Sequence, residues 1–209
     1  LQKYEAELTT VRLGMEKYKW EAVAHFQQHW DITAVNFTEM FKEAFRKKEN
    51  LFYQNSWGFI IHAVSYSPET VREMFIQLFD EEKNLQERIF DFQTKAGDLV
   101  PELKSKTAKK KFNHQQDERT LSVYLGFRYP EKYCLFKDSY YQAFCKLLGE
   151  TPRSPGKKFP HFLELVQEFR DKIVKEDQEI FDIHKEVRSG IDWDDTYLII
   201  QNILFLQLY

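Results

Sequence analysis

Residues 67–92 read SPETVREMFIQLFDEEKNLQERIFDF, and their spacing decides the fold class. Val71, Phe75, Leu78 and Phe79 fall at i, i+4, i+7 and i+8, on one face of a helix. Ser67-Pro68 reads as the start of that helix, because proline at the first helical position lacks only an N–H that would be unpaired anyway. After the polar break at 80–84, Leu85, Ile89 and Phe92 repeat the pattern, with Leu99 and Leu103 beyond. Each stripe must be buried against another element, so the stretch predicts packed helices rather than strands.

The same period extends in both directions. Val23, Phe26 and Trp30, with Trp20 before them, form one stripe, and Phe37, Met40, Phe41 and Ala44 form the next. Tyr140, Phe144, Leu147 and Leu148 form another; Phe162, Leu165, Val166, Phe169 and Ile173 form the longest. Asn36 and Asp138 read as N-caps, and Gly149 as a C-terminal stop. Pro130 should end the helix that contains Leu121, Tyr124 and Leu125. Tyr133–Phe136 reads as the one short strand. The expectation is an all-α fold, a single compact domain of about eight to ten helices over residues 1–209, with at most one short strand or hairpin. A subdivision near 104–116 is the one alternative.

Composition agrees. The chain has 209 residues, 43% of them apolar and 30% charged, which supports a real core and argues against disorder. No run of apolar residues is long enough to span a bilayer, and the first thirty residues lack the apolar core of a signal peptide. Two cysteines, Cys134 and Cys145, fit a reducing, cytoplasmic setting and read as small buried hydrophobes. The 19 Phe, 11 Tyr and 4 Trp read mainly as core rings, Phe75, Phe79, Phe92, Phe144 and Phe169 among them. Trp57 and Trp193 follow polar stretches and are candidates for exposure, and Tyr129, Tyr133, Tyr140 and Tyr141 flank the basic middle of the chain.

That basic middle is the main charge feature. Between 104 and 128, seven Lys and Arg stand against two acidic residues, whereas 176–195 carries eight acidic residues against two basic ones. The chain's net charge of −3 hides this division. The candidate phosphate-contacting set is Lys104, Lys106, Lys109, Lys110, Lys111, Arg119 and Arg128, joined by Arg153, Lys157 and Lys158, with Tyr129 or Tyr133 placed to meet a base. The competing reading is a solvated loop whose lysines serve solubility.

Motifs for catalysis are absent from the sequence. Gly156-Lys157 is followed by Lys158 rather than Ser or Thr, so it is not a phosphate-binding P-loop. His25 and His29 have the i, i+4 spacing of a shared ligand face, but Phe26, Gln27 and Gln28 between them supply no catalytic Glu. They read as two exposed histidines beside an apolar stripe, and no metal site is expected. The acidic clusters at 80–82 and 192–195 read as helix-start or solvated carboxylates. No catalytic residue is assigned.

Three strings carry a family likeness: KYKWEAVAHFQQHWDITAVNFTEMFKEAF at 17–45, PETVREMFIQLFDEEKNLQERIFDF at 68–92 and ERTLSVYLGFRYPEKYCLFKDSYYQAF at 118–144. Together they resemble the helical N-terminal region of McrB-like AAA+ proteins from modification-dependent restriction systems. The resemblance implies a non-catalytic module that selects the target, often DNA carrying a modified base. It implies a nucleotide-hydrolysing motor following Tyr209, using GTP or ATP with magnesium, and a separate nuclease subunit as partner. This fragment itself would need no cofactor. No binding residue is carried over position by position. The alternative is a helical assembly module that contacts a partner subunit or a phage protein.

Overall fold

Helix follows helix in the computed structural model, which describes residues 10–107 and 112–208. The order is α1 (Thr10–Glu16), α2 (Tyr18–His29), α3 (Phe37–Ala44), α4 (Gln54–Tyr66), α5 (Pro68–Leu78), α6 (Leu85–Ser105), α7 (Glu118–Arg128), α8 (Asp138–Leu148), α9 (Lys158–Lys172), a 3₁₀ turn (Val174–Glu176), α10 (Gln178–Ile183) and α11 (Thr196–Leu208). No strand occurs among the described residues. None of their helices is long and apolar enough to cross a membrane.

Local signals set most boundaries. Asn36 accepts the Glu39 N–H at 3.2 Å and Asp117 accepts the Thr120 N–H at 2.9 Å, each satisfying a donor that the helix leaves unpaired. Gly149 ends α8 with φ of 72°, a left-handed conformation that costs glycine little. Asp138 is the first helical residue rather than the cap, and its carboxylate pairs instead with Lys158 at 2.7 Å.

Two helices are buried on nearly every side. In α7 all residues from Thr120 to Phe127 are buried, and in α11 so are all from Thr196 to Leu204. A helix apolar all round can only sit inside, and the others wrap these two. α2 and α9 pack on α7, while α8 and α9 pack on α11. The centre is aromatic. Phe45 lies 5.0 Å from Phe26, 5.7 Å from Phe127 and 5.7 Å from Tyr124, mostly in tilted or edge-on arrangements that favour ring quadrupoles. Phe75 meets Tyr124 edge-on at 4.9 Å. One continuous core joins residues from Leu13 to Leu204, on both sides of the 104–116 connection. Gln116 ties that connection inward, donating to the Ser56 carbonyl at 2.8 Å and accepting from the Tyr124 hydroxyl at 2.9 Å.

Three expectations are corrected. Tyr133–Phe136 is buried but has no ladder partner, so it is not a strand. Its backbone is satisfied locally instead: Tyr133 N–H donates to the Tyr129 carbonyl and Phe136 N–H to Ser122 Oγ. Leu147, Leu148 and Ile173, assigned to core stripes, are exposed: the buried face of α8 is Tyr140, Tyr141, Phe144 and Cys145, and Ile173 caps α9 beyond its last helical residue. Trp57 is not exposed; it is half-buried and lies against Phe41 and Phe52, as Trp193 lies against the core.

Candidate anion-binding face

Arg119 lies where cations from separate segments meet, with Lys19 and Lys137 on one side and Lys158 on the other. It sits in the first turn of α7, where the Asp117 cap fixes the helix start. Its guanidinium lies 3.8 Å from the centre of the Tyr53 ring and donates to the Leu51 carbonyl at 3.5 Å. Stacked there, it holds its plane with no carboxylate ion pair among the described residues, a geometry arginine tolerates because its charge is delocalised.

Arg119 borders two recesses. The first, of about 300 Å³, is also lined by Glu16, Tyr18, Lys19, Lys137 and Tyr140. Three cations from three separate segments thus face one carboxylate. Lys19 is 2% exposed, pairs with Glu16 at 2.5 Å and donates to Gln201 Oε1 at 2.5 Å. Burial pulls the Lys19 ammonium below its ordinary pKa, and Glu16 opposes that pull. Lys137 is lowered as well, by desolvation and then by the neighbouring Arg119 charge. Two cations that destabilise one another across a recess favour an anion between them. Burial raises the Tyr18 hydroxyl to about 12, so it is a neutral donor at any ordinary pH.

The second recess, of about 200 Å³, lies between Tyr53, Arg119, Asp138 and Lys158. Asp117 and Glu118 line it too, so three acids stand against Arg119 and Lys158, and Lys158 is already paired with Asp138 at 2.7 Å. Glu118 accepts the backbone N–H groups of Gly156 and Phe159 at 3.0 and 2.9 Å, which anchors the 149–160 loop.

The remaining sequence candidates divide. Arg119 and Lys158 share the second recess. Arg153 and Lys157 are exposed on the neighbouring loop, and the Arg153 N–H donates to the Tyr141 hydroxyl at 2.7 Å. Arg128 and Tyr129 lie apart. Nine residues separate Arg119 from Arg128, about 14 Å of rise and two and a half turns, so they project from opposite faces of α7. Tyr129 donates its hydroxyl to the Phe79 carbonyl at 2.8 Å, with Arg128 and Lys132 over its ring. Tyr133 does not fit the base-contacting reading: it is buried and its hydroxyl is bound by Glu81 and Arg88, at 2.7 Å each. Lys104 is exposed near the end of α6, and Lys106 pairs with Glu102 at 2.6 Å. Lys109, Lys110 and Lys111 lie outside the described residues.

Sequence reasoning missed Lys19, Lys137 and Tyr18. Lys19 left a signal, since it precedes Val23, Phe26 and Trp30 by four, seven and eleven residues and so stands on an apolar stripe. The acidic clusters resolve into structural roles. Asp194 accepts the Thr196 N–H at the start of α11, and Asp195 is buried against Trp20 and Arg188. Both thiols are buried, and burial pushes each above its ordinary pKa, the opposite of a reactive cysteine.

No family model, curated protein or solved structure matches this chain. The likeness to McrB-like proteins therefore stands on the three sequence strings alone.

Proposed function

We propose that the chain is a non-catalytic DNA-contacting module, a target-recognition part of an McrB-like restriction protein, and that the Arg119 face takes a backbone phosphate. The observation that carries this reading is the convergence of Lys19, Arg119 and Lys137 on one recess, with Glu16 the one acid among its described lining residues. Phosphate contacts position a protein on nucleic acid, and counterion release makes the binding steeply salt-dependent. The acidic stretch 176–195 opposes DNA less than its composition implies, because Arg188 neutralises buried Asp195 at 2.9 Å. A nucleotide cofactor, GTP or ATP with magnesium, and a nuclease partner belong to this reading through the family likeness only.

Fluorescence anisotropy with labelled duplex and single-stranded DNA, with and without 5-methylcytosine, tests it at low and moderate salt. Salt-sensitive binding that weakens in Arg119→Gln and Lys137→Gln, with the salt slope reduced by about one per lost contact, is the expected result. Absence of binding at low salt, or equal binding by the double variant, would overturn it. Lys109, Lys110 and Lys111 changed together to Ala test the adjoining loop separately.

A specific feature favours a second reading, an assembly module. Exposed Leu148 and Ile173 border a groove of about 320 Å³ with Phe144, Leu165 and Phe169, rimmed by Glu150, Glu168 and Lys172, and Leu147 is also exposed. Light scattering after size exclusion distinguishes the two readings. A concentration-dependent oligomer that Leu148→Lys disperses supports assembly.

A further inference from the structure

His25 and His29 stand one turn apart near the end of α2, and Glu43 faces them from the last turn of α3. His25 is buried, contrary to the exposed pair that the sequence suggests, and the two imidazoles stack with centroids 4.0 Å apart. Glu43 Oε1 is 3.4 Å from His25 Nε2 and 3.7 Å from His29 Nε2. One ligand atom from each residue fits within a 4.8 Å triangle. Around a tetrahedral ion with bonds near 2.0–2.1 Å, ligand atoms lie about 3.3–3.4 Å from one another. Two of the three edges are therefore already close to that length.

The surroundings prepare the ligands. His29 Nδ1 lies 2.8 Å from the His25 carbonyl, which can only accept, so Nδ1 carries the proton. That leaves the His29 Nε2 lone pair on the Glu43 side, the second-shell arrangement that orients metal-binding imidazoles. His25 Nε2 donates to the Glu43 carbonyl at 2.9 Å. Ligation there gives up this one hydrogen bond and moves the proton to Nδ1. Arg46 lies 3.1 Å from Glu43 Oε1, but its side chain is 64% exposed and can turn to water when an ion takes its place.

We propose that His25, His29 and Glu43 form a site for a divalent transition-metal ion of the zinc class, clamping α2 to α3 and leaving a fourth position to water. His29 and Glu43 are 35% and 42% exposed at their side chains, which gives an ion entry from solvent. The two nitrogens and one carboxylate suit zinc, cobalt or nickel better than magnesium or calcium. The site holds an ion rather than hydrolysing a substrate. No acid stands between the histidines, and Gln27 there is spent on the carbonyls of Phe127 and Arg128.

The test uses the untagged chain. Zinc is titrated by calorimetry, and cobalt is titrated by its visible absorption. The expected result is saturable binding of one ion per chain, a cobalt spectrum of low coordination number, and a higher melting temperature in zinc. His29→Ala and Glu43→Gln alter half-exposed side chains, and unchanged melting of the metal-free variants shows that they fold. Each should weaken zinc by at least about tenfold and abolish the cobalt bands. No saturable binding by the unaltered chain, or binding kept within about twofold in both folded variants, overturns the proposal.

Discussion

Replacing Asp195 with Ala tests how the N-terminal helices are tied to the C-terminal one. Asp195 is fully buried at the start of α11. Its Oδ2 accepts the Trp20 indole N–H at 2.7 Å, and both of its oxygens lie 2.9 Å from Arg188 Nε. One residue earlier in α2, Lys19 donates to Gln201 of α11, so the two contacts together set where Lys19 enters the anion recess. Removing one partner of a buried ion pair costs about 3–5 kcal/mol when the other stays buried. Arg188 is 32% exposed and recovers part of its hydration, so the charge contribution falls in the lower part of that range or below it. The Trp20 N–H, in a side chain 1% exposed, has no such escape and loses about 1–3 kcal/mol on its own. The sum is about 3 kcal/mol, equivalent to a melting temperature lower by roughly 6–12 °C for a chain of this size. Urea unfolding followed by tryptophan fluorescence measures it. Asp195→Asn keeps an acceptor for Trp20 but loses the charge, so it should cost about half as much. A loss under about 1 kcal/mol for Asp195→Ala, with an unchanged urea slope, would refute the reasoning.

Four further outcomes follow from the structure. Burial pushes the Glu81 carboxyl up, but hydrogen bonds from Tyr133, Arg88 and Lys132 more than offset this and hold it below its ordinary value of 4.5. A depressed carboxyl stabilises the fold above its unfolded pKa and loses that contribution as pH falls through its folded one, so Glu81→Gln should flatten the pH dependence of urea midpoints below about pH 5. Neither Cys134 nor Cys145 should react with a thiol reagent in native buffer, and both should react in denaturant; fast native labelling of either would contradict their burial. Gly97→Ala meets nothing within 4 Å and should stabilise α6 by about 0.5–1 kcal/mol. Gly126→Ala would instead place its Cβ 3.0 Å from Leu135 Cδ2 and 3.2 Å from the Tyr133 carbonyl, and the crowding of about 1–3 kcal/mol should outweigh the same helical gain in thermal melts.

The sequence by itself determined the helices. The period of Val71, Phe75 and Leu78 is a property of neighbours along the chain, and the stops at Pro130 and Gly149 act within a few residues, so no tertiary information was needed. The burial of the two cysteines was legible for the same reason, since each lies among apolar neighbours. The tertiary structure decided which charges meet. Arg119 and Arg128 look like one basic segment on paper, yet helix rotation points them apart, while Lys19 reaches Arg119 across a hundred residues because α2 packs on α7. Glu43 comes to His25 and His29 only because α3 folds back on α2. Leu147 and Leu148 carry the periodicity of core residues, yet among the described residues they are exposed. Periodicity names a face of a helix; what covers that face depends on where the other helices end.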